Sequence, residues 1–157
     1  MDALDVLWIE RAIRRLKAKY CRLADAREDE EFLELFTDDI EWSLHDESGS
    51  IVKQVRGKEE YRAWRSSTLA TRLAGVGVHQ VHEPEIDVLE KDFATAVWPL
   101  MDYVRSPPDG KYLGSFRGYG HFHEEYRRGP DDRWRISKVT VTRLYVEHLD
   151  ETSEPGH

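Results

Sequence analysis

The chain has 157 residues and a formal net charge of −8, with 31 acidic against 23 basic side chains. This length suits one domain around one hydrophobic core, so we expect a single domain over residues 1–149 and a disordered tail over residues 150–157. An acidic surface repels phosphate backbones and anionic lipids, and the chain has no long apolar run, which argues against nucleic acid and membrane partners. The only cysteine is Cys21, which excludes an intrachain disulfide, and the acidic N-terminus is unlike a secretory signal. We therefore expect a cytoplasmic protein.

The N-terminal part of the chain carries helical patterns. Apolar residues recur three and four positions apart and predict a helix over residues 3–26. The members of this stripe are Val6, Ile9, Ile13, Leu16, Tyr20 and Leu23. The opposite, polar side of this helix is expected to carry Arg11, Arg14, Arg15, Lys17 and Lys19. A second helix is predicted over residues 28–36, with acids in its first turn, and a third from Gly57 to Leu73.

Strand patterns begin at Asp38, where apolar and polar residues alternate through Leu44, and residues 51–55 can pair back as a hairpin. Further strands are predicted over residues 76–90, 93–105, 111–128 and 133–149. Pro84 is expected to force a bulge or an edge, and a turn is predicted over residues 106–110. Helices followed by long antiparallel strands indicate an α+β fold. A curved sheet wrapped over the helices would leave a ligand pocket at its open end.

Two charged residues fall where strand alternation places apolar side chains. Asp102 shares a face of its predicted strand with Leu100, and Arg143 shares a face with Val141 and Tyr145. A buried carboxylate and a buried guanidinium are each costly unless they are paired. We expect the two to meet each other or a ligand. The alternative is an ion pair that only fixes the register of the sheet.

The first predicted helix supplies two further candidates. Tyr20 lies on the apolar stripe, where it is either a core tyrosine or a hydrogen-bond donor to a developing oxyanion. Asp25 ends the stripe, where it is either a helix-terminal acid or a functional carboxylate.

Four histidines lie in two strand motifs. His79 and His82 are three residues apart, so an unbulged strand directs them to opposite faces and only one can serve a given site. His121 and His123 are two apart and share a face, as in some metal sites, although the remaining ligands of such a site are missing. The sequence has no dinucleotide or phosphate-binding glycine motif, and we expect neither a metal nor a cofactor. Large aromatic residues would line the pocket, namely Trp42, Trp64, Trp98, Phe116, Tyr119 and Phe122.

Several stretches together resemble the SnoaL-like (NTF2-like) superfamily. They are AIRRLKAKYCRLADARE and FLELFTDDIEW near the N-terminus, VHQVHEPEIDV in the middle, and EEYRR, WRISKV and LYVEH near the end. Their order and spacing carry the resemblance from about Leu4 to His148. It implies an α+β cone in which a curved, mostly antiparallel sheet wraps over N-terminal helices.

Within that superfamily the chain most resembles the bile acid 7α-dehydratases. Their active-site residue types fall on Tyr20, Asp25, His79, Asp102 and Arg143. The Asp25 and His79 pair also resembles that of scytalone dehydratases and lindane dehydrochlorinases, but the helix lysine of the latter is Tyr20 here, which argues against chloride elimination. The resemblance implies a cofactor-independent dehydratase that uses an Asp–His dyad on a small apolar hydroxy-ketone or steroid-like substrate, in a homo-oligomer, with a trimer favoured. The alternatives are an isomerase or cyclase with a carboxylate base, and a binding module without catalysis.

Overall fold

The computed structural model describes residues 1–71, 76–105 and 115–149. The helices are α1 (Ala3–Ala26), α2 (Asp29–Leu33) and α3 (Lys58–Thr71). The strands are β1 (Phe36–His45), β2 (Ile51–Arg56), β3 (Val76–Val81), β4 (Glu85–Val88), β5 (Phe93–Arg105), β6 (Ser115–Arg128) and β7 (Trp134–Leu149). The predicted turn at 106–110, the end of the third predicted helix and the tail at 150–157 lie outside the described residues. Within those residues, none of the helices combines the length and apolarity needed to cross a membrane.

The strands form one curved, unclosed sheet, which confirms the α+β cone. Its order is β2-β1-β7-β6-β5-β3, and β4 pairs with β5 beside β3. All neighbours are antiparallel except β1 and β7, which run parallel. The helices pack on one side of the sheet, called here the inner face, where α1 lies against β3, β4 and β7. The opposite side is the outer face.

Helix α1 has the predicted bounds because both of its ends are capped. The Asp2 side chain accepts from the backbone N–H of Asp5, whose own carboxylate accepts from the Asp2 N–H. Arg27 ends the helix in the left-handed region, with φ of 58°. The expectation that Lys17 lies on the polar side is wrong, because this side chain is fully buried. Its spacing, four residues after Ile13, places it on the apolar stripe.

Two predicted boundaries are also wrong. Helix α2 is shorter than the predicted span 28–36, because the chain is already extended at Phe36, which pairs with Ile136 of β7. The predicted strand 76–90 is two strands, β3 and β4, separated by a break that contains Pro84. Both pair with β5, so the break changes the path of the chain without removing it from the sheet.

A bulge in β7 changes which side chains face inward near the end of that strand. Tyr145 pairs with Tyr119, whereas Arg143 pairs with Gly120, so Leu144 is an extra residue without a partner position in β6. Arg143 therefore points to the inner face and Tyr145 to the outer face. The expectation that these two residues share a face is wrong, because strand alternation does not continue through a bulge.

Candidate active site

Helix α1 and strand β3 bring Asp25 and His79 together on the inner face. The Nδ1 atom of His79 lies 2.7 Å from Oδ1 of Asp25, and the backbone N–H of His79 donates to the same oxygen at 3.0 Å. Each side chain is 28% exposed. The pair is therefore fixed at two points, while about a quarter of each side chain stays accessible.

This contact determines which nitrogen of His79 is free. An ionised carboxylate only accepts hydrogen bonds, so Nδ1 of His79 carries the proton that it donates to Asp25. The lone pair is then on Nε2. Asp25 also stabilises the imidazolium that forms when Nε2 accepts a proton, so the arrangement is that of a general base held by a carboxylate.

Strands β5 and β7 contribute a buried ion pair next to this histidine. Nη1 and Nη2 of Arg143 donate to Oδ1 and Oδ2 of Asp102, each at 2.7 Å. The side chains are 10% and 8% exposed. Asp102 is directly opposite His79 in the pairing of β3 with β5, so their side chains are neighbours on the inner face. The two charges that strand alternation directed inward thus meet each other at the edge of the candidate site.

Glycines in β6 make the space for this ion pair. A Cβ atom at Gly118 would lie 2.3 Å from Oδ1 of Asp102 and 2.4 Å from Nη1 of Arg143. A Cβ atom at Gly120 would lie 1.9 Å from the backbone oxygen of Thr142. Only glycine fits at either position while the ion pair and the bulged strand keep this geometry.

Tyr20 completes the group from α1. Its ring is 4% exposed and lies edge-on to the His79 ring, with 6.5 Å between centroids and an interplanar angle of 89°. Burial, with added contributions from Tyr61 and Glu124, raises the pKa of Tyr20 well above its usual value. Tyr20 therefore keeps its proton at neutral pH, and its hydroxyl group is hydrogen-bonded to that of Tyr61.

The structure thus brings all five sequence-predicted polar residues into one region. This region contains a base (His79), its carboxylate partner (Asp25), a protonated phenol (Tyr20) and the ion pair Asp102–Arg143. A general base beside a hydrogen-bond donor can remove a proton next to a carbonyl group and stabilise the enolate that forms.

An aromatic cluster lies on the inner face toward α3. The Trp42 and Trp64 rings are tilted against each other, with centroids 4.6 Å apart, and both stack on the Tyr61 ring at less than 6 Å. Trp42 is 7% exposed, and its indole N–H is buried without a hydrogen-bond partner. Two of the predicted pocket residues are therefore part of a packed aromatic cluster with Tyr61.

The other predicted pocket residues divide between the two faces of the sheet. Trp98 and Phe122 are buried on the inner face, and Phe122 contacts the Tyr20 ring at 5.6 Å between centroids. Phe116 is half-buried on the same face, opposite Val104. Tyr119 lies on the outer face, where it stacks on Tyr145, because odd-numbered residues of β6 point away from the helices. Tyr119 therefore lies on the opposite side of the sheet from Asp25 and His79.

The remaining histidines of the two motifs lie away from Asp25. His82 is exposed just after the end of β3, on the side opposite to His79. His121 and His123 lie on the outer face with ring centroids 6.1 Å apart, and Nε2 of His123 lies 3.1 Å from Oγ1 of Thr142. Across residues 1–71, 76–105 and 115–149, no group of three or more His, Cys, Asp or Glu side chains is arranged to hold a metal ion.

Comparison with known proteins gives the family of this fold. The profile of the SnoaL-like domain matches residues 5–140, which is most of the chain. The chain belongs to the SnoaL-like family. It is 26% identical over 150 residues to a probable cyclase of Gibberella zeae, covering 87% of this chain and 92% of that protein.

Two solved structures with this SnoaL-like fold are described as enzymes. A candidate scytalone dehydratase from Novosphingobium aromaticivorans superposes with a TM-score of 0.80 at 18% identity, covering 97% of this chain and 95% of the other. A type 2 hexachlorocyclohexane dehydrochlorinase superposes with a TM-score of 0.80 at 19% identity, covering 99% and 100%. At these identities the likeness establishes a shared fold.

Sequence reasoning missed one polar cluster of this SnoaL-like domain. Lys17 of α1 and Glu124 of β6 form a second buried ion pair, and Tyr126 donates to Glu124. Alternation along β6 could have identified Glu124, because it shares a face with Phe122 and Tyr126. Helical spacing could have identified Lys17, but its charge suggested an exposed position.

Proposed function

We propose that this SnoaL-like protein is a cofactor-independent lyase that removes water from a small apolar hydroxy-ketone. One observation carries the proposal: Oδ1 of Asp25 accepts both N–H groups of His79, which leaves Nε2 of that histidine free as a base. The neighbouring phenol of Tyr20 is buried and protonated. A base next to a neutral hydrogen-bond donor suits removal of a proton from the carbon beside a carbonyl group.

In the proposed reaction, His79 first removes a proton from the substrate and later returns it. Nε2 of His79 removes the proton from the carbon beside the carbonyl, and Tyr20 donates a hydrogen bond to the oxygen as the enolate develops. The enolate electrons then form the new C=C bond as the bond to the β-hydroxyl breaks. The His79 imidazolium returns its proton to the departing oxygen, so the products are an enone and water and the enzyme is unchanged.

The surroundings of the dyad support a substrate with one polar end and one apolar end. The ion pair Asp102–Arg143 lies beside His79 and can orient or polarise an oxygen substituent. The partly buried ring of Trp64, which packs against Trp42 and Tyr61, is the proposed contact for the apolar remainder of the molecule. We extend the proposal to ring-containing substrates, including steroid-like hydroxy-ketones.

A cyclase or isomerase is the second candidate. It is favoured by the similarity, over most of both chains, to the probable cyclase of Gibberella zeae. In that case Asp25 or Asp102 acts as the base, and the enolate attacks within the substrate or is reprotonated elsewhere, with no loss of water. The product then has the same mass as the substrate.

Product mass distinguishes these candidates. The purified protein is incubated with β-hydroxy ketones and 7-hydroxy-3-oxo-4-ene steroids, and the mixtures are analysed by mass spectrometry. We expect loss of water that disappears in His79→Ala and in Asp25→Asn. The matched control is His82→Ala, which removes an exposed histidine three residues away and should leave turnover intact.

The other outcomes each exclude part of the proposal. Rearranged products of unchanged mass would favour the cyclase or isomerase. Ligands that bind without any product would favour a binding module. Dehydration that survives in His79→Ala would exclude the proposed base.

We also propose that the outer face of the sheet joins copies of this chain, with a trimer favoured. Tyr119 and Tyr145 stack there, and Tyr145 and Leu144 are 58% and 67% exposed. An exposed face of this kind suits an interface. Light scattering coupled to size-exclusion chromatography should give three times the chain mass of 18.4 kDa, and Tyr145→Lys should lower it. A monomer at micromolar concentration would contradict this.

A further inference from the structure

The proposed mechanism does not use the second buried ion pair. Nζ of Lys17 lies 2.6 Å from Oε1 of Glu124, and both side chains are 0% exposed. Burial lowers the pKa of Lys17, and the facing carboxylate of Glu124 opposes that shift. The 2.6 Å contact holds the amino group of Lys17 against the carboxylate of Glu124 inside the fold.

Further hydrogen bonds fix the carboxylate of this pair. The hydroxyl group of Tyr126 donates to Oε2 of Glu124, and the indole N–H of Trp98 donates to the Tyr126 oxygen at 2.9 Å. The chain of contacts thus runs from Lys17 on α1 through β6 to β5. These three elements also carry Tyr20, Gly118 with Gly120, and Asp102, so the network connects the elements that support the candidate site.

The ammonium group of Lys17 lies against the ring of Tyr20. Its Nζ atom is 4.0 Å from the centroid of the Tyr20 ring and 3.3 Å from that of Phe122, within the range of cation–π contacts. Lys17 precedes Tyr20 by three residues on α1, so the two side chains are neighbours on one side of the helix.

Fold stability alone is a weak explanation for such a pair. Removing two charges from water has a cost that their attraction often fails to offset, and well-packed apolar residues of similar volume are frequently as stable or more so. The network is also placed directly beneath the proposed hydrogen-bond donor rather than elsewhere in the core. A role in the chemistry of Tyr20 accounts for both features.

We propose that Lys17 is a positioning residue of the active site, whose buried ammonium group, held by Glu124, polarises Tyr20 for hydrogen-bond donation. This inference rests on the proposed function, because it concerns the same phenol. A positive charge against the ring face stabilises negative charge that develops on the phenol oxygen. Glu124 acts in the opposite sense, but its two oxygens are already bonded to Lys17 and Tyr126. The ammonium is the member of the pair that contacts the Tyr20 ring.

The test measures ionisation at position 20 without any substrate. Tyr20 is replaced by 3,5-difluorotyrosine, which ionises at a lower pH than tyrosine, and its titration is followed by fluorine NMR. The titrating and charged groups that surround this position are Lys17, Cys21, Tyr61, Arg65, His79 and Glu124. The same titration is then recorded in the double variant Lys17→Met/Glu124→Leu, which removes both charges and keeps the volume.

The matched control is Lys138→Met/Glu125→Leu. It removes a lysine–glutamate pair joined at 3.3 Å between β6 and β7 on the outer face, where both side chains are partly exposed. We expect the phenol at position 20 to ionise about one pH unit higher in the Lys17/Glu124 variant than in the wild type, and unchanged in the control. An unchanged or lower value in the Lys17/Glu124 variant would overturn the proposal. So would a double variant that does not fold, because the pair would then be a structural clamp.

A kinetic measurement separates this inference from the proposed function. On a substrate that the wild type dehydrates, the Lys17/Glu124 variant should lose about tenfold in kcat with KM within twofold, and Lys17→Arg should recover part of the loss. Absence of dehydration by the wild type would exclude the proposed lyase and leave the NMR result to decide the role of Lys17. If kcat of the double variant equals that of the wild type, the role of Lys17 is excluded, whereas the proposed lyase activity is not contradicted.

Discussion

The two ion pairs on the inner face of the sheet have the same chemistry but different access to a ligand. Asp102 and Arg143 meet at the edge of the site, where each side chain keeps about a tenth of its surface exposed. Lys17 and Glu124 are fully enclosed beneath Tyr20. The edge pair can therefore contact a substrate, whereas the deep pair can act only through the residues that cover it. A buried charge near an active site is thus not by itself a ligand contact.

Breaking the deep pair should have the largest effect on stability. Lys17→Met leaves the Glu124 carboxylate buried without its cation, and we expect a loss of about 3–5 kcal/mol in the free energy of unfolding. Urea denaturation followed by circular dichroism measures this value. The double variant Lys17→Met/Glu124→Leu should recover most of the loss, since no unpaired charge remains. A single variant as stable as the wild type would mean that the pair is not charged.

Burial of Tyr61 beside Tyr20 should also limit the stability of the fold at alkaline pH. Burial raises the pKa of Tyr61 to about 12, from 10.0 in an unfolded chain. Because the folded value is the higher one, the stabilisation is complete below pH 10 and is lost as the pH rises toward 12. We expect Tyr61 to account for a loss on the order of 2 kcal/mol over this window. Urea denaturation at a series of pH values should show a shallower decline for Tyr61→Phe, and parallel curves would contradict the assignment.

Crowding the edge pair should have a smaller effect. In Gly118→Ala the new methyl group would collide with the side chains of Asp102 and Arg143, so the bidentate contact must open. We expect a loss of about 1–3 kcal/mol in the free energy of unfolding. Gly77→Ala is the matched control, because a Cβ atom there has no neighbour within 4 Å. Equal unfolding free energies for the two variants would show that β6 does not need a glycine beside the ion pair.

Strand alternation predicted much of the inner face from the sequence. Asp102 lies within a regular strand, so counting by two places it correctly among apolar residues, and the same count directs Arg143 inward. The count fails two residues later, at Tyr145, because the bulge at Leu144 shifts the register. A bulge depends on how β6 and β7 pair, which the spacing of residues in one strand does not record.

Helical spacing and residue type gave opposing predictions at Lys17. The spacing from Ile13 and to Tyr20 places this residue on the buried stripe, whereas its charge predicts an exposed position. Burial is tolerated because Glu124 reaches it from a strand more than a hundred residues away, with a sequence separation of 107. A partner at that distance cannot be identified from the local pattern.

The contact between Asp25 and His79 was expected only from the family resemblance. Neither residue is exceptional in its own segment, since Asp25 lies near the end of a helix and His79 in a short strand. Their meeting depends on how α1 crosses β3. The same crossing fixes which imidazole nitrogen is free, and no pattern in the sequence determines that choice.

Proton exchange in heavy water tests the central claim, that His79 is a base held by Asp25, most directly. Simple ketones are incubated with the protein in D2O, and NMR follows the replacement of hydrogen by deuterium on the carbon beside the carbonyl. We predict exchange with the wild type and with His82→Ala, and none above background with His79→Ala. Exchange that persists without His79, or that the wild type does not catalyse for any ketone that binds, would contradict the account.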